Sequence, residues 1–413
     1  MNISRALRVT TAPAATALLL AAGTSLPVHA EDTGKSFEIY GFAMVDAIQD
    51  TKRVDPNWMD AFRPSKIATP EGQFGSNGQS SISVKQSKLG VKGQMPSGED
   101  GAPINFKLEF DFFGVGADAG QTTIRLRHAY GEWKQLLGGQ TNTLLMDGDV
   151  FPNTIDYWGP AGMVFFRVPQ IRWTPYRTKT DDFAVALEHA SNDVDSGNIR
   201  LIEGFEEANV RGTRVAPDLT GRWRHDESWG HVQLAGMLRA IAYEYQAVPG
   251  LEWSKKSETG WGVNLSGHIN VLEKDKILLQ VVHGNGIATY MNDGGMDLAP
   301  TAAFNPASPT PTLSAEAVPL TGILAYYDHY WNSQFSSSIG YSQTEVTNTN
   351  FQSQTANVFH KGQYASGNLL WYPAKNVMIG GELLWGKRTN NIGQTGDDVR
   401  FQFSVKYDFG VKL

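Results

Sequence analysis

The sequence predicts an all-β fold: a transmembrane antiparallel β-barrel of about sixteen strands, even in number as single-chain bacterial barrels are. Three observations carry that expectation. Many short segments alternate in side-chain character, and none past residue 30 keeps a helical period. Clusters of Gly, Asn, Asp and Pro separate them. Aromatic residues gather near segment ends, at Trp133, Trp173 with Tyr176, Trp229, Tyr330 with Trp331, Trp371 with Tyr372, and Trp385, where membrane barrels carry interfacial girdles.

In chain order, residues 1–30 come first. Arg5 and Arg8 precede an apolar stretch from Ala12 to Gly23, and Val28-His29-Ala30 offers small residues for cleavage, the pattern of a secretory signal peptide. The apolar stretch is too short to cross about 30 Å of hydrocarbon. Cleavage after Ala30 removes two positive charges and takes the formal charge from −7 to −9. One domain, residues 31–413, follows.

Alternation begins at residues 37–49. Over residues 81–95 the phase slips, since Ile82 and Val84 are even whereas Leu89 and Val91 are odd, and a β-bulge near Lys85 to Ser87 accounts for that. Ile104, Phe106, Leu108, Phe110 and Phe112 then share a face, opposite Asn105, Lys107, Glu109 and Asp111. Gly114-Val-Gly116-Ala-Asp-Ala119 fits a dinucleotide fingerprint, but alternation rather than a helix follows, so it reads as a hairpin turn. Ile124, Leu126 and Tyr130 next oppose Arg125 and Arg127. The theme recurs at 183–189, 232–242, 261–269, 277–283, 323–330, 364–372 and 377–385, and ends with apolar residues at every odd position from Phe401 to Leu413.

Soluble propellers and jelly rolls also alternate, but their outer faces tend to be rich in Lys and Glu. Here the polar faces carry Arg, Gln, Asn, Ser and Gly, as a water-filled lumen would, and charged residues are only 19% of the chain. The absence of Cys excludes disulfides, thiolate metal sites and Cys nucleophiles.

Four longer stretches interrupt the strands: 51–79, 142–170, 191–215 and 285–319. The last is rich in Pro, Ala, Thr and Ser and reads as a mobile surface loop. The second packs Asp147, Asp149, Phe151, Asp156, Tyr157 and Trp158 among turn residues, and is expected to fold inward as a constriction.

The candidate pore-lining residues are Lys107, Arg125, Arg127, Arg167, Arg172, Arg222, Arg224 and Arg239. A narrow positive wall between low-dielectric sides concentrates anions even when the net protein charge is negative, and the planar guanidinium fork matches a carboxylate. The alternative is that these arginines pair with Glu109, Asp111, Glu132 or Glu188 and only brace the barrel. The acidic pairs Asp147/Asp149, Glu206/Glu207 and Asp397/Asp398 read as solvated or cation-holding loops. No HExxH, GxSxG or P-loop pattern assembles a catalytic centre.

From Phe37-Glu-Ile-Tyr-Gly-Phe-Ala-Met-Val-Asp-Ala-Ile-Gln-Asp50 onward the chain resembles the DcaP-like family of Gram-negative outer-membrane porins. Further matching stretches include Phe110-Asp-Phe-Phe-Gly-Val-Gly116, Arg125-Leu-Arg-His-Ala-Tyr-Gly-Glu-Trp133, Asp156-Tyr-Trp-Gly-Pro-Ala-Gly-Met-Val-Phe-Phe-Arg167 and Gly381-Glu-Leu-Leu-Trp-Gly-Lys-Arg388. The resemblance implies a homotrimer that admits small anionic solutes, dicarboxylic and aromatic acids among them. Two departures stand out. Many relatives carry a heptad-like helix before the barrel, whereas only Glu31 to Ser36 precede the first strand here, so no periplasmic coiled coil is expected. Relatives also end near an aromatic such as Phe409, whereas this chain continues to Leu413; the parity predicts a longer last strand and weaker recognition by the barrel-assembly machinery.

The reading is therefore a passive channel of the Gram-negative outer membrane, embedded in lipid and lipopolysaccharide, with no cofactor, no metal, no catalytic residues and no nucleic-acid partner. The Gly- and Ala-bearing outer face of residues 37–47 is a candidate subunit contact. The rivals are an outer-membrane barrel enzyme and a secreted carbohydrate-binding β-protein.

Overall fold

The structure, a computed structural model, describes residues 35–97, 101–114, 123–352 and 358–413, apart from the Glu207 side chain. The expected signal segment and most of the turn at 114–119 lie outside the described residues. The strands are β1 (Ser36–Asp50), β2 (Gln79–Ser83), β3 (Lys88–Ser97), β4 (Ala102–Asp111), β5 (Arg125–Trp133), β6 (Leu136–Asn142) and β7 (Arg167–Arg177). They continue with β8 (Asp181–Glu188), β9 (Val210–Arg214), β10 (Asp218–Glu227), β11 (Gly230–Gln246), β12 (Trp253–Val271) and β13 (Asp275–Asn285). The last are β14 (Leu298–Pro300), β15 (Ala315–Ala317), β16 (Pro319–Tyr330), β17 (Phe335–Val346), β18 (Phe359–Ala374), β19 (Val377–Asn390) and β20 (Thr395–Lys412).

All but β14 and β15 belong to one antiparallel sheet. Because β2 and β3 both pair with β1, and β9 and β10 both pair with β11, its eighteen segments fill sixteen strand positions. Pairing of β1 with β20, from Glu38↔Lys412 to Asp50↔Arg400, closes the barrel. The last strand does run past Phe409, and closure leaves the barrel sheet without an edge strand.

Alternation decides which way each side chain faces. In β20, Phe401, Phe403, Tyr407 and Phe409 are exposed on the outside while Arg400, Gln402 and Ser404 are buried inside. Leu265, Val281, Ile339, Leu369 and Leu383 continue the outer apolar face on other strands, the inverse of a soluble core and the arrangement that lipid requires. Inside, the Arg400 guanidinium makes two bonds to Asp50, at 2.6 and 2.9 Å, and lies 5.1 Å over the Phe62 ring.

Among several register shifts, two near β1 to β5 set the phase of the lumen wall. Between Phe42↔Lys88 and Asp46↔Ser83 the β2–β3 side has one residue more than β1, which accounts for the slip near Lys85 to Ser87. A second bulge was not anticipated: Phe110 pairs with Leu126 and Glu109 with His128, leaving Arg127 as the extra residue of β5. Beyond it the faces exchange. Tyr130 therefore stands opposite Lys107 on the lumen side, not with Ile124 and Leu126 on the outer face. Phe112 lies past the end of β4.

Short turns such as Lys134-Gln135 and Lys375-Asn376 join strands at one end, where Lys134 and Asn376 take positive φ to reverse the chain within two residues. Long loops join them at the other end. The segment expected to be mobile, 285–319, is instead folded: it carries β14 and β15, meets Val194 at Leu298, and buries Leu298, Phe304 and Leu313 against Ile199, Ile241 and Tyr243. Its Pro, Ala, Thr and Ser content hid the few apolar residues that dock it.

Candidate functional site

The loop 143–166, between β6 and β7, lies inside the barrel, held by polar side chains that the strands turn inward. Asn264 donates to Leu145 O at 2.8 Å, Gln233 to Met146 O at 3.1 Å, and Gln280 to Gly162 O at 3.0 Å. Glu382 accepts from the Ile155 amide, Ser342 accepts from Gly162 N at 2.8 Å, and Thr344 donates to Ala161 O at 2.7 Å. Gly162 is required at this contact, since a Cβ there would collide with the carbonyl oxygens of Gln343 and Ile323.

Six expected loop residues divide by role. Asp147 is buried against the wall, accepting from His231 Nε2 at 2.7 Å and Ser266 Oγ at 2.9 Å. Burial works to raise its pKa, but His231, Ser266 and Arg224 prevail and hold it below the usual carboxylate value. Asp149 is exposed and pairs with Arg224 at 2.7 Å. Phe151 packs against Phe165, their ring centres 5.5 Å apart. Asp156 is fully buried and accepts from the amides of Phe62 and Gly159, each at 2.9 Å. Burial pushes its pKa up to about 6, against the opposing pull of Arg400 and those amides. Trp158 donates to Asn292 O at 2.6 Å.

Tyr157 reaches the opposite wall. Its ring stacks on Phe113 with centres 4.0 Å apart, and its hydroxyl donates to Asp111 at 3.0 Å. The same oxygen accepts from Arg125, from Arg127 at 2.9 Å and from Arg167 at 3.4 Å. Arg125 makes two bonds to Asp111, at 3.0 and 2.6 Å, while Arg127 bridges Glu109 at 2.7 Å and Asp111 at 2.8 Å. Lys107 and Lys88 approach Glu109 at 3.2 and 3.7 Å. Lys88, Lys107, Arg125, Arg127 and Arg167 thus gather around two carboxylates, a local excess of three positive charges.

The other expected arginines lie elsewhere. Arg172 donates to Asn142 O at 2.7 Å and to Gln170 at 3.0 Å. Arg222 pairs with Asp182 at 2.7 Å. Arg224 ties Asp149 and Asp226 to the wall. Arg239 is buried and bonds Asp218 at 3.0 Å, Asp297 at 2.9 Å, Gly286 O and Ser191 O, so it braces the 189–209 and 286–318 loops.

Beside Tyr157 opens a cavity of about 870 Å³ that sequence reasoning did not anticipate. Arg63, Lys66, Arg125, Arg167, Arg200 and Arg388 line it, against Asp193 and Asp195, together with Trp158, Phe165, Phe166 and Phe359. Arg63 lies over the edge-to-face pair Trp58 and Trp158, 4.2 and 4.3 Å from the two ring centres, and pairs with Asp293 at 2.9 Å. Arg388 shares the parity of inward-facing Glu382 and was legible from it. Arg63, Lys66 and Arg200 sit in loops or short 3₁₀ turns, where no periodicity points inward.

No curated protein matches the chain. Among solved structures it is similar to the outer membrane channel DcaP of Acinetobacter baumannii, with a TM-score of 0.73 and 23% identity, covering 92% of this chain and 99% of that one. It is more distantly similar to an anion-selective porin from Comamonas acidovorans, with a TM-score of 0.56, 11% identity and coverage of 91% and 100%. OmpT of Vibrio cholerae in its trimer form gives 0.52, 11% identity and coverage of 91% and 99%. These likenesses fix the fold as that of a porin barrel. The model of the DcaP outer membrane protein family matches residues 19–409, nearly the whole chain, and the chain belongs to that family.

Proposed function

We propose that this outer-membrane channel is a passive, anion-preferring porin for small carboxylates, dicarboxylic and aromatic acids among them. The observation that carries this reading is the excess of three positive charges where the 143–166 loop meets the β4–β5 wall. An anion entering from the 870 Å³ cavity meets six cationic side chains and two acidic ones before it reaches Tyr157. Flat aromatic faces beside the arginines suit the ring of an aromatic acid, and the guanidinium forks suit its carboxylate. The inward loop acts as the constriction, and conduction requires the solute to be held weakly at successive sites. The anion-selective porin from Comamonas acidovorans, which shares the fold, supports this sign.

The working form is a homotrimer in lipid and lipopolysaccharide, exported with loss of residues 1–30 and inserted by the barrel-assembly machinery. The exposed Ile39, Ala43, Val45 and Ala47 side of β1 is its candidate contact. Transport uses no cofactor and no catalytic residue. Single-channel recording in a planar bilayer tests the reading: three-step closure, an anion-selective reversal potential in a KCl gradient, and block by a dicarboxylate are expected. A cation preference would leave the arginines as braces. No conductance from folded protein, with hydrolysis of lipid or glycan, would restore the enzyme reading.

A further inference from the structure

Three guanidinium groups converge on one atom, the Tyr157 hydroxyl oxygen, whose own hydrogen is committed to Asp111. A phenolic oxygen offers two lone pairs, too few for three donors, whereas a carboxylate offers about four acceptor sites on two oxygens. Arg167 shows the deficit most plainly. Among the described residues its guanidinium makes no carboxylate pair, and the one side-chain hydrogen bond it makes is the 3.4 Å contact to Tyr157. The place where the hydroxyl sits is therefore built for an anion and filled by a neutral group. The side chains of Arg125 and Arg127 keep 29% and 14% of their surface exposed, so an entering solute reaches them from the lumen.

Resting on the anion-channel reading, we infer that Tyr157 is a specificity-determining gate: its hydroxyl competes with the solute carboxylate for Arg125, Arg127 and Arg167, and leaves when the carboxylate arrives. The backbone on either side is fixed, because Asp156 accepts the Phe62 and Gly159 amides and Trp158 is bonded to Asn292. Exchange then proceeds by rotation of the Tyr157 side chain off Phe113 rather than by movement of the whole loop. A competitor attached to the loop shortens the solute's stay and keeps the arginines from becoming a trap.

The test is a set of single-channel recordings on wild type, Tyr157→Phe and Phe113→Leu, with succinate and benzoate as probes. Tyr157→Phe keeps the ring and its stacking but removes the competing oxygen. Dwell times of both probes should lengthen at least about tenfold, the factor carried by about 1.4 kcal/mol, near the lower end for a hydrogen bond to a charged group. Phe113→Leu keeps the hydroxyl but loosens its seat, and should lengthen dwell times by a smaller factor. An anion-selective wild type with unchanged dwell in both variants would overturn the gate and leave the channel reading intact. Shorter dwell in Tyr157→Phe would overturn it too, by making the hydroxyl a solute contact. A cation-selective wild type would remove the anion-channel reading on which the gate rests.

Discussion

Neutralising Arg125 and Arg127 together, as Arg125→Gln/Arg127→Gln, removes two of the three excess positive charges of the lumen cluster. A unit charge about 7 Å from a passing ion, acting through water, contributes about 0.6 kcal/mol, and at about 10 mM salt the screening length is about 30 Å, so little is lost. Three such charges stabilise a monovalent anion by about 1.8 kcal/mol, roughly a twentyfold enrichment, while the one that remains supports roughly threefold. The assay is the reversal potential in a shallow KCl gradient at low ionic strength. The anion preference should fall severalfold in the double variant, and raising the salt to about 1 M should shrink the difference, because the screening length drops to about 3 Å. Glutamine retains a donor for Asp111 and Glu109, so their seats in the wall are disturbed less than alanine would disturb them. Equal reversal potentials for wild type and variant at low salt would refute the reasoning and assign both arginines to bracing.

Three further outcomes are expected. Gly162→Ala forces the loop off the Gln343 and Ile323 carbonyls; single-channel current should become larger and noisier, and unchanged traces would show that the loop does not limit flow. Arg400→Ala leaves Asp50 as an unpaired buried carboxylate, so denaturant unfolding of the detergent-solubilised barrel should show a loss of about 3–5 kcal/mol; a loss under about 1 kcal/mol would contradict that. Asp156 has a folded-state pKa raised to about 6, so docking of the loop is most favourable below the unfolded value near 4, and that advantage is lost as the pH rises through 6. The span corresponds to about 3 kcal/mol, and Asp156→Asn should flatten the pH dependence of current noise between about pH 4 and 6; the same slope in both proteins would assign it to another group.

What the sequence disclosed about the fold follows from how strictly each strand must alternate. β4 and β20 face lipid on one side and water or buried polar groups on the other, and their apolar and polar residues alternate without ambiguity. β17 reads poorly, because Ser336, Ser338, Ser342 and Thr344 line its inner face and much of its outer face is polar as well. β9 is five residues long, too short for its alternation to stand out from the 191–215 loop that contains it. Of the candidate site, Arg125 and Arg127 were legible through parity alone, although the bulge at Arg127 means that simple alternation does not explain its direction. Tyr157 was recognisable as part of a folded loop. Its meeting with Asp111, 46 positions away in sequence, depends on the path of the loop across the lumen, which no local pattern encodes. Arg239 failed for the converse reason: its inward parity is genuine, but the loops it faces cover it.

The same geometry gives Glu109 and Asp111 a place in the wall under the proposed anion preference. Five cations packed at this spacing without counter-charge would repel one another, and would hold a carboxylate too long for conduction. The two acids satisfy one face of Arg125 and Arg127, fix their forks through four hydrogen bonds, and leave a net attraction smaller than the number of cations suggests. Under the proposed function bracing and selectivity are one arrangement rather than rivals, and the two acids can be separated by experiment. Asp111→Asn should raise the anion preference and lengthen solute dwell, because it adds a net positive charge and weakens the acceptor for the Tyr157 hydroxyl. Glu109→Gln adds the same charge but leaves Tyr157 bonded, so it should raise preference with a smaller change in dwell. If the two variants lengthen dwell equally, charge alone governs residence, and the hydroxyl has no part in it.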